Sequence, residues 1–313
     1  MKHLGLLVLL AAAAGLMGAL SAGSADAATR IYVTLSRSEK FIDGIRDAVL
    51  REDQADNGVE VTLELAGGDS ATQQRQIDEA VAKKYDAIMV LTVDDAAGQH
   101  ALDRVRKAGI PLVFVNTPPP GAEFTGKVSI VACNDIVAGR LQMRMLARAI
   151  NGQGNVAVIR GEDGHAATDD RTQGIKEILA THPGLTLVAS ESAHWSRDTA
   201  EQLVTQWLDK GIRIDAIAAN SDEMALGAVT ALHKHGIPNG KVFVGGNDGT
   251  SHGLDGVKSG DLAVTMRQDT AAMAHMALLN ARTMAEGGYA QLYEWVPYDI
   301  VLPGNIAQYA SQP

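Results

Sequence analysis

Residues 31–35, 61–65, 87–91, 111–115, 155–159, 185–189, 216–219 and 241–244 are short, mostly apolar runs, and helix-length stretches of mixed polarity separate them. This alternation is the strongest constraint on the fold, because strands that follow one another through helices must pair in parallel. Near-continuous apolar strands are what a sheet covered on both faces requires, since neither face meets water. The rhythm pauses near Cys133 and restarts at Asn155, so the chain is expected to be α/β, with two doubly wound parallel-sheet lobes. Helix starts are marked by capping residues: Asp69 or Ser70 ahead of Gln73, Ser196 ahead of the run to Leu208, and Ser221-Asp222 ahead of Met224.

The N-terminus looks like a targeting segment. Lys2 and His3 precede the apolar run 4–20, and the small residues Ala25-Asp26-Ala27 then offer an A-x-A cleavage site, so residues 1–27 read as a secretory signal peptide. The 313 residues less those 27 leave 286, a length at which one core tends to split into two. Cys133 is the one cysteine, which excludes an intramolecular disulfide and gives no lipid-attachment cysteine near the leader. With 27 basic and 37 acidic residues the net charge is -10, and no basic tract stands out, so nucleic acid is not an expected partner.

Two turns carry the functional reading. Asn220-Ser221-Asp222-Glu223-Met224 follows one apolar run, and Gly245-Gly246-Asn247-Asp248-Gly249 follows the next. Both fall at the carboxyl ends of strands, where an open α/β sheet exposes polar groups to a ligand. Together with Arg171 before them and Gln268 after, these turns resemble the sugar-binding proteins of bacterial ABC importers, the ribose-binding and inositol-binding type. The resemblance covers nearly the whole chain after the leader. It implies three crossings between lobes, near Cys133-Asn134, Arg267-Gln268 and Pro297-Tyr298. One lobe would then hold 28–133 with 268–297 and the other 134–267 with 298–313, the ligand lying in the cleft and a hinge closing over it.

The same resemblance assigns ligand contacts to individual positions. Arg171 would donate to ligand hydroxyls, Asp248 would accept from two neighbouring hydroxyls, and Gln268 would supply an amide from the hinge strand. Trp195 would lay its indole against the apolar C–H face of a ring. The segments His194-Trp195-Ser196-Arg197 and Trp295-Val296-Pro297-Tyr298 look more like the inositol-binding branch than the ribose-binding one. Three places depart from the family pattern. Arg37, Ser38 and Glu39 stand before Phe41 where relatives place aromatics, Asn116-Thr117 replaces an Asp-Arg pair, and Asn220-Ser221 shifts the usual asparagine by one position. Arg37 with Glu39 could meet a charged substituent, or simply pair with each other in a solvated loop.

Catalytic motifs are weak by comparison. Gly249-Thr250-Ser251-His252-Gly253 fits G-x-S-x-G, but Asn247-Asp248-Gly249 already occupies the sharp turn where that motif needs its serine. His233 and His235 are two apart on a predicted helix and face different ways. No metal or nucleotide cofactor is expected, and no enzyme. The expected function is capture of a cyclitol, polyol or monosaccharide by a monomer in the periplasm, with delivery to an ABC-transporter permease. A ligand-sensing module for a chemoreceptor or kinase, or a binder of a charged sugar derivative, is the alternative.

Overall fold

The computed structural model describes residues 28–309. The proposed leader, 1–27, and the last four residues of the second lobe's expected range lie outside them.

In chain order the elements are β1 (Thr29–Leu35), α1 (Lys40–Ala55), β2 (Val59–Leu65), α2 (Ser70–Ala82), β3 (Ala87–Val90), α3 (Asp95–Ala108), β4 (Leu112–Val115), β5 (Val128–Ala132) and α4 (Asp135–Ala149). They continue as β6 (Gly154–Arg160), α5 (Ala166–Ala180), β7 (Leu185–Ser192), α6 (Arg197–Asp209), β8 (Ala216–Ala219), α7 (Asp222–Lys234) and β9 (Phe243–Asp248). The last are α8 (Ser251–Ser259), β10 (Val264–Gln268), α9 (Thr270–Ala285), β11 (Tyr293–Trp295) and β12 (Tyr298–Val301). Two six-stranded sheets result, ordered β2-β1-β3-β4-β5-β11 and β7-β6-β8-β9-β10-β12, the same winding repeated.

Within each sheet alternate residues feed opposite faces, as a pleat requires. Ile31, Val33 and Leu35 of β1 pack with Met89, under α1 and α9, while Tyr32 joins Ile88, Val90 and Phe114 on the other face. The second sheet is buried in the same way, with Ala157, Ile159 and Ile217 on one side and Val156, Val158 and Ala218 on the other. Both sheets are therefore central layers between helices, as the apolar runs predict.

The chain passes between sheets three times: from β5 to α4, from β10 to α9, and from β11 to β12. Gln268, expected to open the returning segment of the first lobe, is instead the last residue of β10 in the second sheet. One strand breaks the all-parallel expectation. β12 runs antiparallel to β10, with Gln268 opposite Tyr298, because it enters the second sheet from the crossing end at which β10 leaves it. β11 pairs in parallel with β5, since α9 intervenes and the chain returns toward the crossing.

From α2 to α9 each α-helix begins under a side-chain cap: Asp69, Asp94, Asn134, His165, Ser196, Ser221, Thr250 and Asp269 each accept from a backbone N–H of the first turn. Each such cap stabilises its helix by about 1 kcal/mol. Strand carboxyl ends and helix amino ends from both sheets face the gap between the lobes, so the positive ends of the helix dipoles converge on it.

Candidate functional site

A cavity of about 100 Å³ lies in that gap, walled by loops of both lobes. The first lobe contributes Arg37 and Glu39 from the β1–α1 turn, Lys40 and Phe41 from the start of α1, and Thr92, Asn116 and Thr117 from the turns after β3 and β4. The second contributes His165, Arg171, Trp195, Ser221, Glu223, Asp248 and Thr250. A second cavity of about 230 Å³ adjoins it, sharing Lys40, Phe41, Asp248 and Thr250 and extending between α1 and α8 to Gln268.

Arg171 and Asp248 form the polar centre, each at most a tenth exposed. The guanidinium donates from Nη1 to Asp248 Oδ1 at 2.9 Å and to the Asn220 carbonyl at 2.5 Å, and from Nε to Asp135 Oδ1 at 2.6 Å. Burial works against the Arg171 charge, but Asp135, Tyr298 and Asp248 outweigh it and the group stays protonated. Burial likewise pushes the Asp248 carboxyl up, opposed by Arg171. Among the described residues, both hydrogen bonds that the Asp248 carboxylate accepts, from Arg171 and from Gln268 Nε2 at 3.0 Å, fall on Oδ1, which leaves Oδ2 for a ligand hydroxyl.

The turns that present these groups are strained. Asp248 has φ of 106° and Asn116 has φ of 70°, both in the left-handed region that suits glycine. Gly249 completes the Asp248 turn, and a Cβ there would strike Arg267. Behind the turn, Asp222 is fully buried, accepting from Thr250 N–H at 2.7 Å, the Thr250 hydroxyl at 3.0 Å and the Thr265 hydroxyl at 2.6 Å. This carboxylate fixes the loop that carries Asp248 and Thr250.

Trp195 is held by the same economy of space. Its ring fills the position a side chain on Gly161 would need and meets the His165 imidazole edge-on, centroids 5.4 Å apart. His165 Nδ1 accepts from Ala167 N–H, which puts the ring proton of the neutral form on Nε2, and burial with Arg171 nearby holds the imidazole pKa below its ordinary value. Asn116 Oδ1 on the first lobe and Gln268 Oε1 on the second are buried without a hydrogen-bond partner among the described residues. Such orphans cost stability unless a ligand donates to them.

Of the residues singled out from sequence, Arg37, Glu39, Asn116, Thr117, Arg171, Trp195, Ser221 and Asp248 meet at the first cavity. Gln268 lies behind Asp248 and lines the second. Ser38 and Asn220 line neither: the Ser38 hydroxyl donates to Asp43 within α1, and Asn220 Oδ1 accepts from Gly161 N–H and the Thr172 hydroxyl. Arg37 and Glu39 pair with each other at 3.4 Å, so the unusual charges largely cancel. Sequence reasoning missed Thr92, His165 and Thr250, though each follows the carboxyl end of a strand, the position that signalled Asn220 and Asp248.

The family profile of the periplasmic binding protein domain matches residues 31–288. The chain belongs to that family. Among relatives of this periplasmic binding protein is the "Putative rhizopine-binding protein" of Rhizobium meliloti, 33% identical over 287 residues, covering 89% of this chain and 93% of that one. The xylitol-binding protein of Mycolicibacterium smegmatis is 32% identical over 278 residues, covering 87% of this chain and 78% of that one. A solved ABC transporter solute binding protein from Bacillus halodurans, with bound myo-inositol, is 33% identical with a TM-score of 0.82, covering 91% of this chain and 99% of that one.

Proposed function

We propose that this protein is the solute receptor of an ABC importer, taking up a cyclitol, polyol or monosaccharide in the periplasm and handing the closed complex to a membrane permease. The observation that carries the reading is the cavity itself. The Arg171–Asp248 pair, the orphaned Asn116 oxygen and the Trp195 ring face one enclosed space from two lobes, with donors and acceptors for hydroxyls around an apolar ring face. The names of the relatives, with a bound myo-inositol and a xylitol-binding function among them, support the same ligand class. Binding needs no covalent step, so the protein acts as a receptor rather than an enzyme and works as a monomer. Residues 1–27 serve as the leader that exports it.

The 3.4 Å pairing of Arg37 with Glu39 favours a neutral polyol over a charged derivative. A thermal-shift series with myo-inositol, xylitol, ribose and galactose tests the reading. A ligand at 100 times its dissociation constant adds about 2.7 kcal/mol to the folded state, so a raised melting temperature with at least one polyhydroxylated compound is the expected result. Stabilisation by none of them, with stabilisation by peptides or metal ions instead, would overturn it.

A further inference from the structure

The three segments that pass between the lobes all reach the Arg171–Asp248 pair. Asp135 opens α4 just after the first crossing, Gln268 ends β10 at the second, and Tyr298 opens β12 just after the third. Arg171 Nε donates to Asp135 Oδ1 at 2.6 Å and Nη2 to the Tyr298 hydroxyl oxygen at 3.2 Å. The Tyr298 hydroxyl donates in turn to Asp135 Oδ1 at 2.7 Å, closing a triangle. Burial holds the Tyr298 pKa well above its ordinary value, so the phenol keeps the proton it donates. Its ring packs against core residues of both lobes, which fixes the oxygen in space. Neither Asp135 nor Tyr298 lines either cavity.

We propose that Asp135 and Tyr298 are positioning residues of the ligand site: from the hinge side they hold the Arg171 guanidinium in one orientation beside Asp248, so that the pair meets the ligand pre-aligned. An unrestrained arginine loses much side-chain freedom when it binds, and a side chain ordered beforehand spares that cost. The Asn220 carbonyl and Asp248 hold Nη1 from the site side, and Asp135 holds Nε from the hinge side. The Tyr298 oxygen fixes the remaining nitrogen, Nη2, and anchors Asp135 at the same time. Because Tyr298 and Asp135 also begin the second-lobe segments at two crossings, the hinge side holds two of the three Arg171 nitrogens, and the site itself holds the third.

This assignment rests on the cavity being the solute site, and the test separates the two. Tyr298→Phe keeps the packed ring and removes the oxygen, and Asp135→Asn keeps the shape and removes the charge. The probe is myo-inositol, or xylitol if that alone stabilises the unaltered protein, with affinity read by calorimetry and folding by melting temperature. Each variant should fold and bind at least tenfold more weakly, and the double variant should lose no more than the weaker single one, because both act through one guanidinium. Affinity within twofold of the unaltered protein in either variant, or losses that multiply, would overturn the assignment. Ligand-free crystal structures of both variants decide it even if neither probe binds the unaltered protein or a variant is too weak to titrate. The guanidinium should turn about the Nη1 bonds to Asn220 and Asp248, moving Nε and Nη2 from their original places, and a guanidinium still at its original place would overturn the proposal.

Discussion

At the residue scale the site is a charged pair whose energy depends on what is left behind when one partner goes. Arg171 and Asp248 are both buried, so Arg171→Ala strands two carboxylates, Asp135 and Asp248, and Asp248→Ala leaves the guanidinium with fewer acceptors. Each substitution should weaken ligand binding by about 2–4 kcal/mol, measured by calorimetry. Arg37 differs because its side chain is 41% exposed and already faces Glu39 at 3.4 Å. Arg37→Ala should cost less than about 1 kcal/mol, with little change between low and high salt. A loss as large as that of Arg171→Ala, growing at low salt, would mean that the ligand carries a charge that Arg37 meets. The contrast shows what was legible: Arg171, Asp248 and Asn116 could be named from turns and resemblance, because each sits at or just after the end of a strand or in a recognisable helix start. Asp135 and Tyr298 could not, since they lie 36 and 127 positions from Arg171 and only the folded crossings bring them to it.

At the scale of elements, the apolar runs located eight of the described strands and missed four. β9 reads as ending at Val244, yet it continues through Gly245 and Gly246 to Asp248. Those glycines look like a loop in the sequence because neighbours occupy the room a side chain would take: Leu146 of α4 beside Gly245 and the Asp222 carboxylate beside Gly246. β5, β10 and the edge strands β11 and β12 escaped notice for another reason: each mixes polar residues into three to five positions, whereas the equally short β3, β4 and β8 are apolar throughout and register. The Asp222 carboxylate that shapes β9 also sets a pH response. Burial raises its pKa to about 7, against hydrogen bonds from Thr265 and Thr250 that favour the charge. The folded state then holds a proton that the unfolded chain has released, so Asp222 contributes stability at low pH that is lost as pH rises from about 4 to about 7. Asp222→Asn should flatten that part of the profile, read from urea midpoints at pH 4.5 and 7.5 beside the unaltered protein. Identical pH slopes in the two proteins would show that Asp222 is ionised throughout.

At the scale of the whole molecule the question is where the lobes can move. Two arginines tie the crossing segments together on the second-lobe side. Arg171 links Asp135 and Tyr298 to the site, and Arg267 Nη1 links Asp269 at 3.1 Å with Asp299 at 2.9 Å across the second and third crossings. Rotation must therefore be absorbed by the few residues left between these ties and the first sheet: Cys133 and Asn134, the backbone around Asp269, and Val296 with Pro297. Such short segments suit a hinge, in which a handful of dihedrals carry the whole motion while both cores stay packed. In the described arrangement Arg37 and Glu39 of one lobe line the same cavity as Arg171 and Asp248 of the other, so the lobes are close together here. Without ligand, closure buries Asn116 Oδ1 and Gln268 Oε1 with nothing to bond them, a cost of about 1–3 kcal/mol each that water relieves when the cleft opens. The ligand-free protein should therefore populate a more open form, and a saturating polyol should lower the radius of gyration in small-angle scattering. Asn116→Ala removes one of these orphaned acceptors, so the ligand-free variant should scatter as a more compact particle than the unaltered protein while binding the polyol more weakly. An unaltered protein with the same radius of gyration in both states, at a ligand concentration that calorimetry shows to be saturating, would mean a rigid site and no hinge motion.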